Sequence, residues 1–348
     1  MEIHSTSKQF DQDGNQKGHT LTAKGQKAQA DEPEGMQVKG ISRFVDSDGN
    51  ITAEWRKYDR NKVDAEAIIA RLENAFTNIP KAPKIAKPAK VVEYLLSLFP
   101  LAFLHLGLLA WGEDVWDDWD TSIAVEKYRD CMERVAQGTE NATHGIVLGG
   151  GDLLHADSYK PFTPASGNIL DVDSRWSKVL DTAIELMVYQ IDIARQKHET
   201  VTVRILPGNH DETSAIAVSR ALAAWYRNDD RVSVDKDPSL FFFHLFGKTL
   251  LGSTHGHACK LTDLPLVMAN RRPQEWAAGV FRYVHGFHIH HKNQYAWEQG
   301  GCLGETHQSP AVQDAYHHGK GYISGRSMQS ITYHKEYGEW ARAPRVMI

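Results

Sequence analysis

Cysteine is scarce in this chain of 348 residues: Cys131, Cys259 and Cys302 are widely spaced and odd in number. That excludes a disulfide-built scaffold and suits a reducing compartment. Excess positive charge is also missing. Lys and Arg number 39 against 44 Asp and Glu, a net charge of −5. This argues against a broad basic nucleic-acid surface but leaves room for a local basic groove. The opening MEIHSTSKQFDQDGNQKG has no apolar segment, so no secretory signal is read and a cytoplasmic location is expected. Long uncharged runs are lacking except one, Tyr94 to Gly112, with LLSLFPLAFLHLGLLAW inside it. It is long enough to resemble a membrane span. Pro100 interrupts it, however, and His105 and Gly107 follow. The expected reading is a helix end and then a buried β-strand, with no membrane partner.

What is present is ordinary in bulk, with 41% hydrophobic and 24% charged residues, as in a soluble globular protein of one large or two smaller domains. The exception is histidine. There are 18, and 13 of them lie from His198 onward. Histidine is the commonest metal ligand and the usual acid or base near neutral pH, so composition points to a metal or proton-transfer site.

Three segments are expected. Residues 1–38 are too polar to offset the cost of ordering and read as disordered. Residues 39–90 read as a hairpin around Asp48-Gly49, a helix over 63–77 and a Pro/Lys linker over 80–90. From residue 91 to 348, short apolar runs alternate with amphipathic helices at 121–137, 172–198 and 213–227, the pattern of a layered α/β domain. On the second of these helices, Trp176, Val179, Leu180, Ile184, Met187, Val188 and Ile191 share one face and read as core. After residue 231 the runs LFFFHLF, KTLLGST, YVHGFHI and QSITYH read as strands.

Polar motifs follow several of these runs. Gly151-Asp152 follows GIVLGG; Gly208-Asn209-His210-Asp211 follows VTVRILP; His255-Gly256-His257 follows KTLLGST; His288-Ile289-His290 ends YVHGFHIH. Ligands of open α/β sheets collect outside the carboxyl ends of strands, so these loops could converge. Each motif alone is weak, since Gly-Asp usually marks a turn and a lone histidine usually bonds within the core. Their order carries more weight.

That order, GD, GNHD, HGH and HxH, resembles the calcineurin-like metallophosphoesterase superfamily, whose pattern is DxH, GDxxD/N, GNHD/E, H and GHxH. The resemblance spans residues 91–335 and looks closest to phage-encoded members, through LGLLAWGED (106–114), GDLLHAD (151–157) and GYISGRSM (321–328) followed by HKEYGE. It implies a four-layer αββα sandwich with two divalent transition metals, Mn, Fe, Zn or Ni. Asp152 would bridge them. Asn209, His255 and His288 would complete one site; His105 and His290 would serve the other. His210, oriented by Asp211, would be the acid in phosphoester hydrolysis by a metal-bound hydroxide.

Two departures stand out. The DxH aspartate falls on Phe103, which cannot bind a metal and leaves the His105 site weak. The glycine of GHxH falls on Phe287, with Gly286 one place early. His155, Asp157, His257 and Glu305 could supply a substitute ligand; each is more simply a loop residue bonded to backbone or water. The resemblance thus implies a phosphodiesterase or nuclease acting on a phosphoester substrate, DNA or RNA included. A contrasting expectation is a degenerate member that binds nucleic acid or a partner protein without catalysis. Lys81–Lys90 and Arg271-Arg272 are candidate phosphate contacts, though solvated faces explain them as simply.

Overall fold

In a computed structural model of the chain, the described residues are 3–10, 16–24, 37–59, 82–102, 104–289, 297–314, 318–321, 324–344 and 346–347. They fall into two units, Met1–Ile79 and Pro80–Ile348.

The first unit contains an antiparallel sheet of β1 (Ile3–Phe10), β2 (Gln16–Lys24), β3 (Gln37–Asp46) and β4 (Ile51–Asp59), in that order. The Asp48-Gly49 turn forms as its residues dictate. Gly49 takes φ +90°, and the Asp46 carboxylate accepts from the Asp48 and Asn50 N–H groups. Strands β1 and β2 lie within the segment 1–38 that composition reads as disordered. Composition counts too few apolar side chains there, but the ladder of β2 on β3 satisfies backbone groups whatever the side chains are. The helix expected over 63–77 lies outside the described residues.

The second unit opens with β5 (Val92–Leu101), followed by a one-turn helix α1 (Gly112–Val115) and α2 (Thr121–Gln137). Next come β6 (Ala142–Gly149), α3 (Trp176–Lys197), β7 (His198–Ile205), α4 (Glu212–Trp225) and β8 (Val232–Asp235). Then follow β9 (Phe241–Phe246), β10 (Thr249–Thr254), α5 (Leu264–Arg271), α6 (Pro273–Ala278), β11 (Phe281–Gly286), β12 (Trp297–Gln299) and β13 (Cys302–Thr306). The chain closes with β14 (Ser327–Met328), β15 (Ile331–His334), β16 (Gly338–Arg342) and β17 (Val346–Met347).

Two large sheets result. One has the order β16-β15-β5-β6-β7-β8, with β5 to β8 parallel; the other is β12-β13-β11-β10-β9, with β13, β11 and β10 parallel. The period of two sorts their side chains. Phe99, Leu101, Val147, Val203 and Ile205 face a core shared with α2, α3 and α4. Leu96, Leu98, Ile146 and Leu148 share another core with Phe242, Leu251 and Tyr283 of the second sheet. Leu250, Val284 and Cys302 face Leu264 and Met268 of α5. The unit is therefore mixed α/β, with both large sheets apolar on both faces.

The uncharged run at 94–112 begins not with a helix end but with strand β5. Buried on both faces, such a strand needs no polar residues, which is why it imitates a membrane span. Pro100 is tolerated because the antiparallel pairing with β15 reaches only as far as Leu98, opposite Ile331, so the missing N–H falls beyond that ladder. Among the described residues, no helix is long and apolar enough to cross a membrane.

Candidate metal centre

Five of the parallel strands end on loops that carry the site residues. His105 follows β5, Asp152 follows β6, Asn209 and His210 follow β7, His255 follows β10 and His288 follows β11. The crossovers thereby bring residues up to 183 positions apart in sequence to one place. The loops are held tightly. His105 N–H donates to the Asp152 carbonyl (3.0 Å), Leu106 N–H to Leu153 (2.8 Å) and His155 N–H back to Leu106 (2.9 Å).

Close approach explains the glycines. A Cβ on Gly151 would lie 2.5 Å from His255 Nδ1 and 2.9 Å from the Gly208 Cα; one on Gly208 would lie 2.0 Å from Asp152 Oδ1. Three site residues pay in backbone strain: His105, Asp152 and His288 have φ of +46°, +52° and +64°. Non-glycine residues in this region cost on the order of 1–3 kcal/mol and cluster at functional sites.

Two groups of donor atoms form. In the first, His255 Nε2 lies 3.1 Å from Asp152 Oδ2 and 3.2 Å from Asn209 Oδ1, and the His288 ring is 5.2 Å from the His255 ring. The other nitrogen of His255, Nδ1, is 2.7 Å from the Gly150 carbonyl and must donate to it. In the neutral ring Nε2 then presents a lone pair towards two oxygen acceptors, an arrangement a cation satisfies. In the second group, His105 Nδ1 and His155 Nδ1 are 3.3 Å apart, and the His210 ring lies 4.7 Å from His105 and 5.3 Å from His155. Asp152, His255 and His288 could hold one metal ion, and His105, His155 and His210 have the same compact geometry. Imidazole, carboxylate and amide donors suit first-row transition metals.

The electrostatics favour an ion pair between Asp152 and His255, whose Nε2 proton a bound cation would displace. Asp152 is buried, yet His255, His210 and His105 hold its carboxyl well below the usual range. Burial disfavours a charged His255, but the opposing Asp152 carboxylate lifts it above the ordinary imidazole value. Burial and the nearby His255 push His288 down to about 4, leaving it neutral as a ligand must be.

Asp211 needs correcting. It was expected to orient His210, but its carboxylate accepts N–H groups from Asp152 (3.0 Å), Leu153 (2.7 Å), Leu154 (3.2 Å) and Gly208 (3.0 Å). Four converging backbone donors outcompete a side chain, so Asp211 ties the loop after β6 to the loop after β7. His210 is instead held by the His155 carbonyl, 2.9 Å from its Nδ1, and its N–H donates to Asp152 Oδ1 at 2.8 Å.

Of the four substitute ligands considered, His155 enters the second group and His257 lies beside the first, 5.2 Å from the His255 ring. Asp157 does neither; it accepts from Thr213 N–H, Ser214 N–H and Ser214 Oγ at the start of α4. Glu305 joins His285 and His307 in a third group. That group was missed in the sequence, where its only signal is a Glu-x-His on one strand beside a histidine on the next. Phe103 and His290 lie outside the described residues. Phe287, in place of the motif glycine, is buried and fills the space a Cβ on Gly150 would need.

No protein-family model matches the chain, and no curated protein matches it. Eleven chains among solved structures do. One, titled "Structure of PhoD", is similar over 86% of this chain and 70% of that one, at 7% identity and a TM-score of 0.31. A likeness so distant assigns no role to any residue here.

Proposed function

We propose that the second unit is a metal-dependent phosphoesterase of the calcineurin-like type, a four-layer αββα sandwich whose substrate is a phosphodiester, with DNA or RNA as the polymer class. One observation carries the reading: Asp152, Asn209 and His255 converge with His255 locked through Nδ1 to the Gly150 carbonyl, so that its second nitrogen faces two oxygen acceptors. Asp152, Asn209, His255 and His288 would hold one ion. His105 and His155 would serve a second, with Asp152 shared and His290 as a further ligand. When bound, a pair of Mn, Fe, Zn or Ni ions supplies positive charge to the phosphoryl oxygens and readies water for in-line attack. His210 supplies the proton. Its Nδ1 is committed to the His155 carbonyl, which leaves Nε2 to protonate the leaving oxygen.

The test is elemental analysis of the metal-loaded protein, with turnover of bis-p-nitrophenyl phosphate and single-stranded DNA. Asp152→Asn is expected to lose this centre's metal and the activity together, since it removes the only carboxylate of the group. Protein that holds no Mn, Fe, Zn or Ni after loading would sink the proposal. Protein that binds metal and DNA without turnover would favour the non-catalytic reading, which rests on Phe103 standing in place of the motif aspartate.

A further inference from the structure

A third set of metal-binding side chains lies outside the Asp152 centre and arises from strand geometry alone. Strands β11 and β13 are parallel neighbours, with His285 opposite Glu305 and Gly286 opposite Thr306. Side chains directly opposite share a face, and residue i+2 returns to that face. His307, two residues after Glu305, therefore joins them, and its N–H extends the ladder to the Gly286 carbonyl at 3.1 Å. His285 and His307 are buried, at 1% and 5% exposure. His285 Nδ1 lies 3.0 Å from His307 Nε2 and 3.8 Å from Glu305 Oε1.

We infer that His285, Glu305 and His307 form a separate binding site for a transition-metal dication, Zn²⁺ foremost. Ligand atoms about 2.1 Å from a tetrahedral zinc ion stand about 3.4 Å from one another, and the two measured separations bracket that value. Two imidazoles and a carboxylate are a donor set zinc accepts. The surroundings orient them as outer partners of metal ligands do. The second nitrogen of His285, Nε2, is 2.9 Å from the hydroxyl of Tyr333 on β15. With Nε2–H donating there, Nδ1 carries its lone pair towards the group. Both oxygens of Glu305 accept from Arg342, at 2.8 and 2.7 Å, and Arg342 also pairs with Glu339. The formal charges of Glu305, Glu339 and Arg342 are −1, −1 and +1. Their sum is −1, so with neutral imidazoles a cation meets a net negative site. Bound there, it would clamp β11 to β13 just before the turn that presents His288.

The experiment uses the full chain carrying Asp152→Asn and His255→Ala, which disables the proposed catalytic centre and leaves the third group intact. After chelator treatment it is titrated with Zn²⁺ and, separately, Co²⁺. The readouts are metal content, the Co²⁺ visible spectrum and the thermal midpoint. One tightly held equivalent is expected, with a tetrahedral Co²⁺ spectrum and a midpoint raised by Zn²⁺. Adding His307→Gln, close in shape to histidine, should weaken binding by at least ~10–100-fold and abolish the midpoint shift. Loss of all metal from the double variant overturns the inference, as does unchanged binding after His307→Gln. A double variant that keeps its metal, and loses it on adding His307→Gln, while the wild type shows no turnover leaves this site standing and removes the phosphoesterase reading. Wild-type turnover with no metal in the double variant does the reverse.

Discussion

At Gly208 the space for one methyl group separates a working cluster from a broken one. A Cβ there would meet Asp152 at both Oδ1 (2.0 Å) and the backbone nitrogen (2.3 Å), and backbone cannot swing aside as a flexible side chain does. Gly208→Ala is therefore expected to shift Asp152 away from His255 and to lower metal content and turnover together, at nearly constant helix content by circular dichroism. Full activity in that variant would contradict the close approach. His210 gives a second prediction at this scale. On the proposed reading, in which it protonates the leaving oxygen, it should be replaceable by Asn without loss of metal, but with hydrolysis slowed by roughly 10²–10⁴-fold. The loss should shrink for p-nitrophenyl esters, whose leaving group needs no proton. Equal losses across a series of leaving groups would reduce His210 to positioning the phosphate. The strained φ values at His105, Asp152 and His288 fit the same picture, since strain of this kind persists where surrounding structure over-determines the backbone.

Between elements, Asp211 is the tie whose loss is expected to show most clearly as stability. Its four N–H donors come from the loops after β6 and β7. Asn offers one acceptor oxygen and turns an NH₂ towards donors. Burial and the nearby Asp152 raise the Asp211 carboxyl to about 7, so Asp211→Asn should cost roughly 1–3 kcal/mol, the penalty of leaving buried donors unsatisfied, rather than the larger loss of a fully charged partner. Denaturant unfolding measures it; a loss under about 0.5 kcal/mol, the level of an ordinary surface change, would refute the tie. Legibility also divides at this scale. Helix α2 was readable at Thr121–Gln137 because its apolar period is clean and Asp120 caps it, accepting from Ile123 N–H at 2.8 Å. Strands β6, β7, β9 and β10 were readable as short apolar runs ending at Gly, Pro or His. The start of the 94–112 run was misread as helix because a strand buried on both faces has no alternation to betray it. Asp152, Asn209, His255 and His288 were nameable from motif order. His155 was named only as a substitute ligand ranked below a loop residue, because its place depends on the loop pairing at Leu106, and Asp211 was given the wrong partner because sequence adjacency to His210 says nothing of side-chain direction.

Across the whole molecule, buried and half-buried histidines set how stability responds to acid. His144 on β6 and His244 on β9 stack face to face across the two large sheets, ring centroids 5.2 Å apart and planes 4° from parallel. Burial lowers both to about 4, and for His144 the facing His244 adds to the effect. At the start of β7, His198 is likewise pushed down to about 4 by burial, against the help of the Ala194 carbonyl 2.8 Å from its Nδ1. Such a group binds its proton less readily when folded than when unfolded, where its value is 6.5. As pH falls below about 6.5 the unfolded chain takes up protons first and gains. The stabilisation present above 6.5 is then lost progressively down to about 4. For fully buried His198 the difference is on the order of 3 kcal/mol. Two carboxylates do not explain a loss in that window: burial and the nearby Asp152 raise Asp211 to about 7, which acts in the opposite sense, and Glu305, held down to about 2 against burial by Arg342, stays ionised throughout. His255 acts in the opposite sense, because Asp152 raises it. Thermal midpoints of chelator-treated protein between pH 7.5 and 4.5 are therefore expected to fall steeply below 6.5. His244→Phe keeps a flat ring in the stack but cannot take a proton, so its midpoint should fall less over the same range. Parallel curves for wild type and His244→Phe would show that the stacked pair does not carry the acid sensitivity.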